Sequence, residues 1–448
     1  MRKTGMARAV RGLAAALLLL AGTAGAAEFD TLIAQGKDAV SLKQFKEAER
    51  LFKKALAIDP LHPEALYGAG FAAMQLGKPQ TAIDRFESVL KRTYTAPEQR
   101  GFHTLALTRI GEILLSRKAY KQAVDVYAQG IKNDGQNADL RFGYGTALRG
   151  TGQNEKALAQ FEEALKIDPK NAGAMVGKAS VYYELGNVPE AFRLLTRASE
   201  LAPTSPLPYG VMAAFYQDLK KPFEQHLLMG HYYFYSSDVR HAASEYRTAL
   251  AIQETPEVHH TLGVAELQLG QAADAEQQFL KAIKLGAKPE DVTWAQLSLA
   301  QGKLGKFGES KTSLQRAIKL NDKMSSYWGQ MSWLCLQGGD APGAESAARK
   351  SLELDPNQSV AYRYLGDAYN AKGRGKDAID AYEKCLSRDP NLPDVYVNLG
   401  WAYEQTGDLV SAQRNYEAFL KMGTDPDVAK KVRAQIEELK KRGRKKSP

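Results

Sequence analysis

An all-α solenoid of about eleven stacked helix–turn–helix units is the fold predicted for this 448-residue chain, and three observations predict it. First, alanine recurs at 48, 82, 123, 157, 191, 242 and 275, gives way to Ser310, and resumes at 344, 378 and 412. Six of the ten steps are 34 residues, and the two outliers are 41 and 51. Second, a small residue lies twelve positions before each: glycine in eight units, and Ala179, Ser298 or Ser332 in the others. Two helices approach closely only where both offer small side chains, so each pair marks a crossing point. Third, larger residues recur around these positions at helical spacing and supply a core stripe. A lone hairpin cannot bury both faces, and stacking completes the core. One continuous solenoid therefore replaces the roughly three globular domains that the length alone would suggest.

The units share recognisable phrases. FKKALAIDP (52–60), FEEALKIDP (161–169), KSLELDP (350–356) and KCLSRDP (384–390) are variants of one helix ending, where proline stops the helix. The tenth unit carries Tyr362, Leu365, Gly366, Tyr369, Ala378, Tyr382 and Pro390. The eleventh carries Tyr396, Leu399, Gly400, Tyr403, Ala412 and Tyr416, and the fourth Gly145, Ala157, Phe161, Ala164 and Pro169. In period and pattern the sequence resembles the tetratricopeptide repeat (TPR) family, with eleven copies over residues 29–426. The resemblance implies a superhelical solenoid that binds other proteins.

Taken in order, residues 1–26 read as a signal peptide. Arg2, Lys3, Arg8 and Arg11 precede an apolar stretch, Leu13 to Leu20, and Ala24-Gly25-Ala26 fits a cleavage site. Export to the periplasm and a mature start at Ala27 are expected. Residues 27–205 form an N-terminal array of five units, with an extra turn near Thr93–Arg100 in the 41-residue step. Residues 206–222 hold half a unit, one unpaired helix, and set a soft boundary. Residues 223–426 form a C-terminal array of six units. In 427–448, Val428, Val432, Ile436 and Leu439 line one face of a capping helix, followed by a basic tail.

The net charge of +9 suggests nucleic acid until it is located. Residues 1–26 hold four basic residues and no acid, and 430–446 hold nine against Glu437 and Glu438. The body between is near neutral, which excludes a whole-protein field for phosphate backbones. The tail from Lys440 to Lys446 reads either as a solvated, disordered end or as a contact for anionic lipid headgroups. A composition with 44% hydrophobic and 25% charged residues is that of a folded chain, and a monomer is expected.

No nucleophile, P-loop, dinucleotide or zinc-protease motif occurs, so neither an enzyme nor a cofactor is expected. His226, His231, His241, His259 and His260 cluster in sequence but form no i, i+4 pair, which argues against a metal site. Cys335 and Cys385 occupy core slots on different helices and are expected to be unpaired. The run Tyr232-Tyr233-Phe234-Tyr235 cannot face one way on a helix, so part of it packs and part is exposed.

In TPR proteins the first helices of successive units line a concave face, and the resemblance assigns ligand contact to positions 2, 5, 6, 9, 12 and 13 of each unit. Tyr67, Phe71, Phe142, Tyr183 and Phe234 fall in these slots. So do Trp333, Arg363, Tyr364, Asn398 and Trp401. The Lys and Asn clamp that other TPR proteins use for a C-terminal carboxylate is missing, and what remains suits a helix or peptide with bulky side chains. The expected function is a non-enzymatic protein scaffold of the bacterial cell envelope, serving a secretion, pilus or polysaccharide-export machine. The alternative is a glycan-binding adaptor whose aromatics stack on sugar rings.

Overall fold

The computed structural model describes residues 27–91, 97–422 and 425–445. The expected signal peptide and its cleavage site lie outside them. The described residues form helices and turns, with no strand among them. Two compact modules are present, Met1–Phe215 and Tyr216–Pro448.

The first module contains five hairpins. These are α1 (27–41) with α2 (Phe45–Ile58), α3 (Pro63–Gln75) with α4 (Pro79–Leu90), and α5 (Pro97–Ser116) with α6 (Tyr120–Asn133). Next come α7 (Ala138–Gly150) with α8 (Asn154–Ile167) and α9 (Ala172–Glu184) with α10 (Val188–Leu201). A single helix follows, α11 (Pro206–Asp218). The second module contains six hairpins, beginning with α12 (Pro222–Tyr235) and α13 (Val239–Ile252), then α14 (Pro256–Gln268) and α15 (Ala272–Lys284). They continue with α16 (Glu290–Lys303) and α17 (Phe307–Leu320), and α18 (Ser325–Gln337) and α19 (Ala341–Leu354). The last two are α20 (Ser359–Ala371) with α21 (Gly375–Arg388) and α22 (Pro393–Gln405) with α23 (Leu409–Lys421), after which α24 (Pro426–Lys445) closes the array.

The recurring small residue of the second helices, from Ala48 to Ala412, is fully buried in every hairpin. The small residue of the first helices has a more specific role than a crossing point. A Cβ on Gly36, Gly70, Gly145 or Gly263 would stand 2.7–2.8 Å from the ring of Phe52, Phe86, Phe161 or Phe279. On Gly111 or Gly230 it would come within 2.3 Å of Tyr127 or Tyr246. Glycine is thus a seat for an aromatic ring sixteen residues later in the same hairpin. Where the glycine is absent, so is the ring: Ala179 goes with Leu195, Ser298 with Leu314, and Ser332 with Ala348. The buried serines are satisfied, Ser310 Oγ donating to the Ser298 carbonyl at 2.7 Å and Ser332 Oγ to that of Ala344 at 2.8 Å.

Every hairpin turn contains one left-handed residue. It is glycine in eight hairpins, such as Gly77 with φ 70°, and Lys43, Lys118 or Ser237 in the other three. The two long steps are resolved differently. The 41-residue step is taken up largely as helix, since α5 runs 20 residues against 13 in α3 and α7; residues 92–96 lie outside the described residues. The 51-residue step contains α11, which starts 34 residues after α9 and ends at left-handed Lys220 (φ 54°), as a first helix should.

The C-terminal cap corrects two expectations. Ala429, Val432, Ile436 and Leu439 pack on Ala412, Tyr416 and Phe419, while Val428 is 38% exposed. Ala429 takes the buried place on that turn, and Val428 falls on the flank. The tail is also not a loose end as far as Lys445, because α24 continues through it. Arg442 pairs with Glu404, a side chain only 7% exposed. Glu404 also accepts from Gln435 Nε2 at 2.8 Å, and Lys440 pairs with Glu437 at 2.9 Å.

Cys335 and Cys385 are free and buried, as their core slots imply. Burial pushes the Cys385 thiol up to about 11, which keeps it protonated and unreactive at neutral pH.

Candidate groove on the first helices

In the second module, α16, α18 and α20 enclose a cleft of about 430 Å³. Leu299, Trp333, Val360 and Tyr364 wall it, Gln330 and Gln358 add amides, and Lys303 adds a charge. Leu299 and Val360 are 37% and 39% exposed and face the cleft together. Trp333 meets Phe307 edge-on, with ring centres 6.2 Å apart. Burial raises the Tyr364 phenol pKa, so the hydroxyl remains a donor at neutral pH.

One and two hairpins further on, the slots are tied together. Asp367 Oδ1 accepts from Tyr382 Oη at 2.6 Å and from Asn398 Nδ2 at 3.0 Å. Arg363 lies 3.9 Å from Asp367 and 3.8 Å from Asp394, and its guanidinium is 5.9 Å from the centre of the Tyr364 ring. Burial pushes the Asp367 carboxyl upward against these bonds. Arg363 and Asn398 therefore brace adjacent first helices. Trp401 is the open one, 44% exposed.

The remaining slots are more covered. Tyr67 sits 5.6 Å from Phe86 and 5.8 Å from Phe102, and its hydroxyl accepts from Arg109 Nε at 3.2 Å. The same guanidinium lies 6.0 Å from the Phe71 ring. Phe142 packs 6.2 Å from Phe161. The Tyr183 ring stacks on Phe215 of α11 at 3.7 Å, so one of its faces is taken. Phe234 is half-buried against the core around Tyr246.

The histidines are individually partnered: His226 with Glu245 at 2.7 Å, His241 with Asp238 at 2.6 Å, and His259 with both Gln278 and Glu254. No metal-holding group of His, Cys, Asp and Glu occurs among the described residues. His231 stands 2.9 Å from the Tyr246 hydroxyl, and burial depresses its pKa to about 4. Between that value and the ordinary one near 6.5, the unfolded chain binds the extra proton, so stability falls as pH drops through this window. A loss of about 1–3 kcal/mol is expected, and His231→Gln should flatten it in urea midpoints measured from pH 7 to 4.

Tetratricopeptide repeat profiles match residues 39–105 and 148–215, 227–292 and 296–359, and 393–422, and a TPR repeat profile matches 366–407. The chain belongs to the tetratricopeptide repeat family. Among relatives, it is 24% identical over 339 residues to the Protein CTR9 homolog of Arabidopsis thaliana, covering 72% of this chain and 29% of that one. It is also 24% identical over 363 residues to Cellulose synthase operon protein C of Pseudomonas fluorescens, covering 75% of this chain and 27% of that one. The chain thus spans under a third of the length of either relative. Among solved structures, the APC/C hetero-tetramer Cut9-Hcn1 aligns with a TM-score of 0.47 at 13% identity, covering 92% of this chain and 96% of that one.

Viewed as a TPR groove, the cleft contains residues that sequence reasoning passed over. Leu299, Lys303, Gly329, Gln330 and Val360 all occupy the ligand-facing slots of their units. The slot positions could have found them. Favouring bulky aromatic side chains over small, aliphatic and lysine ones did not.

Proposed function

We propose that this TPR protein is a non-enzymatic scaffold of the bacterial cell envelope. In this reading residues 1–26 direct export, and the first helices hold a peptide or helix of a partner in a secretion, pilus or polysaccharide-export machine. The observation that carries the binding role is the open apolar cleft at Trp333 and Tyr364, with Trp401 exposed two hairpins beyond Trp333. A concave cleft walled mainly by apolar side chains, with a few polar groups among them, is the usual form of a binding site. The envelope assignment is supported by the basic, apolar, then small-residue order of the N-terminus, and by the similarity to an operon protein of cellulose synthesis.

The test is capture of the partner from envelope extract on the immobilised protein, followed by affinities for variants. Trp401→Ala and Trp333→Ala should each weaken binding by about 1–3 kcal/mol with helical content unchanged. Variants that unfold the array yet bind normally per folded molecule would make these residues core and end the proposal. Recovery of a polysaccharide in place of a protein would favour the glycan adaptor.

A further inference from the structure

Gly329 is a buried glycine inside α18 that no steric demand explains. The glycines that seat rings leave no room for a Cβ, as at Gly366, where it would be 2.5 Å from Tyr382. At Gly329 the nearest atoms are Ser351 Oγ at 3.6 Å and the Gln358 amide at 3.9 Å, which are ordinary contacts. Its backbone is helical and needs no left-handed conformation. Glycine in a helix interior is destabilising relative to alanine, and nothing in the packing offsets that. The same slot holds Ala295, Arg363 and Val397 in neighbouring hairpins, so a side chain is its usual content.

What the missing side chain leaves is the space between Trp333, Leu299, Val360 and Tyr364. At about 430 Å³ the cleft lies at the small end of ligand sites, which run from about 300 to 1,000 Å³. Its polar groups are complementary to a peptide. Gln330 Nε2 is used on Ser298 Oγ at 3.1 Å, and Gln358 Oε1 accepts from Ser351. Gln330 Oε1 and Gln358 Nε2 remain without partners among the described residues, one acceptor and one donor, as a peptide group requires. Lys303 is the one charged residue lining the cleft; it is exposed and in no ion pair among the described residues.

We propose that Gly329 opens a socket for one bulky apolar side chain of a partner polypeptide, with an acidic residue of that segment placed against Lys303. This rests on the groove reading above and adds the partner's chemistry to it.

The experiment pans a displayed library of random dodecapeptides on the purified chain and, in parallel, on Gly329→Leu. Individual synthetic peptides are then measured by fluorescence polarisation. Peptides enriched on the purified chain should carry Trp, Phe or Leu near Asp or Glu. Gly329→Leu should weaken them at least tenfold, and Lys303→Glu several-fold. Gly329→Ala should raise the melting temperature while weakening binding less than Gly329→Leu. Val360→Trp fills the cleft from the opposite wall, so the comparison survives if Gly329→Leu fails to fold. Peptides indifferent to both filling variants, or without acidic preference, overturn the socket. If such peptides are still lost on Trp401→Ala, the groove reading stands while the socket falls. Enrichment of nothing on either bait overturns both.

Discussion

Gly145→Ala destabilises the first module by about 1–3 kcal/mol, and adding Phe161→Leu restores most of that loss. The methyl group would stand 2.7 Å from Phe161 Cε1, and the ring has little room to retreat because it is also packed closely on the backbone of Gly177, where a Cβ would lie 2.5 Å from it. The helix gains about 1 kcal/mol of propensity from glycine to alanine, so the overlap must outweigh that gain. Leucine removes the overlap, and the fifth hairpin already uses the combination as Ala179 with Leu195. Phe161→Leu alone leaves a cavity and is also destabilising. Urea unfolding of the four species should give a coupling energy of about 0.5–3 kcal/mol. Additive effects would mean that the ring and the glycine are not locked together.

Ending the chain at Asp425 has the largest effect on the second module. Loss of α24 uncovers Tyr416 and Phe419, now 3% and 1% exposed. Each ring returned to water costs about 1.5–3 kcal/mol, and the bared apolar face invites association. A cooperative melt lowered by many degrees, with concentration-dependent scattering, is the expected outcome. Arg442→Ala isolates one part of this. Glu404 is nearly buried and keeps Gln435 but loses its cation. Because Arg442 itself is about half exposed, the expected loss is only about 1–2 kcal/mol, measured as a shift in urea midpoint. A truncated chain that melts like the full one would show that α24 caps nothing.

The period was legible because each hairpin imposes the same steric demand, and the fully buried series from Ala48 to Ala412 meets it. The pairing of glycine with a ring was also present in the text, since Ala179, Ser298 and Ser332 coincide with Leu195, Leu314 and Ala348. Only distances show that the ring requires the glycine. In the groove, Trp333 and Tyr364 do share one cleft, because their slots follow from helical register. Arg363 and Asn398 did not reveal their attachment to Asp367, since bonds between first helices of successive hairpins leave no mark in spacing. Tyr183 was unreadable for a similar reason: its cover, Phe215, comes from a helix outside the regular period. Gly329 already differs in sequence from the glycines that seat rings, since Ser332 holds that slot in its unit and Glu345, not an aromatic residue, follows sixteen positions later; the room around it shows what the glycine leaves open.

Each of these rings is locked to a glycine of its own hairpin, and three are locked to the next hairpin as well, since a Cβ on Gly68, Gly143 or Gly177 would meet Phe52, Tyr127 or Phe161 at 2.3–2.5 Å; this bears on how such a chain can be inherited. Duplicating or deleting a whole 34-residue unit passes on the pair inside the hairpin, and asks of the new junction only that a glycine stand where the preceding ring needs one, as Gly68, Gly143 and Gly177 do. A genetic crossover falling in the turn of a hairpin would instead join the first helix of one lineage to the second of another. Joining α9 to α8, for instance, would drive the Ala179 methyl toward the Phe161 ring, while the reverse splice would leave Gly145 facing the smaller Leu195 over a void. Half-units are free of this constraint, having no second helix to match. Among the described residues α11 is such a half-unit, following the fifth hairpin in the chain.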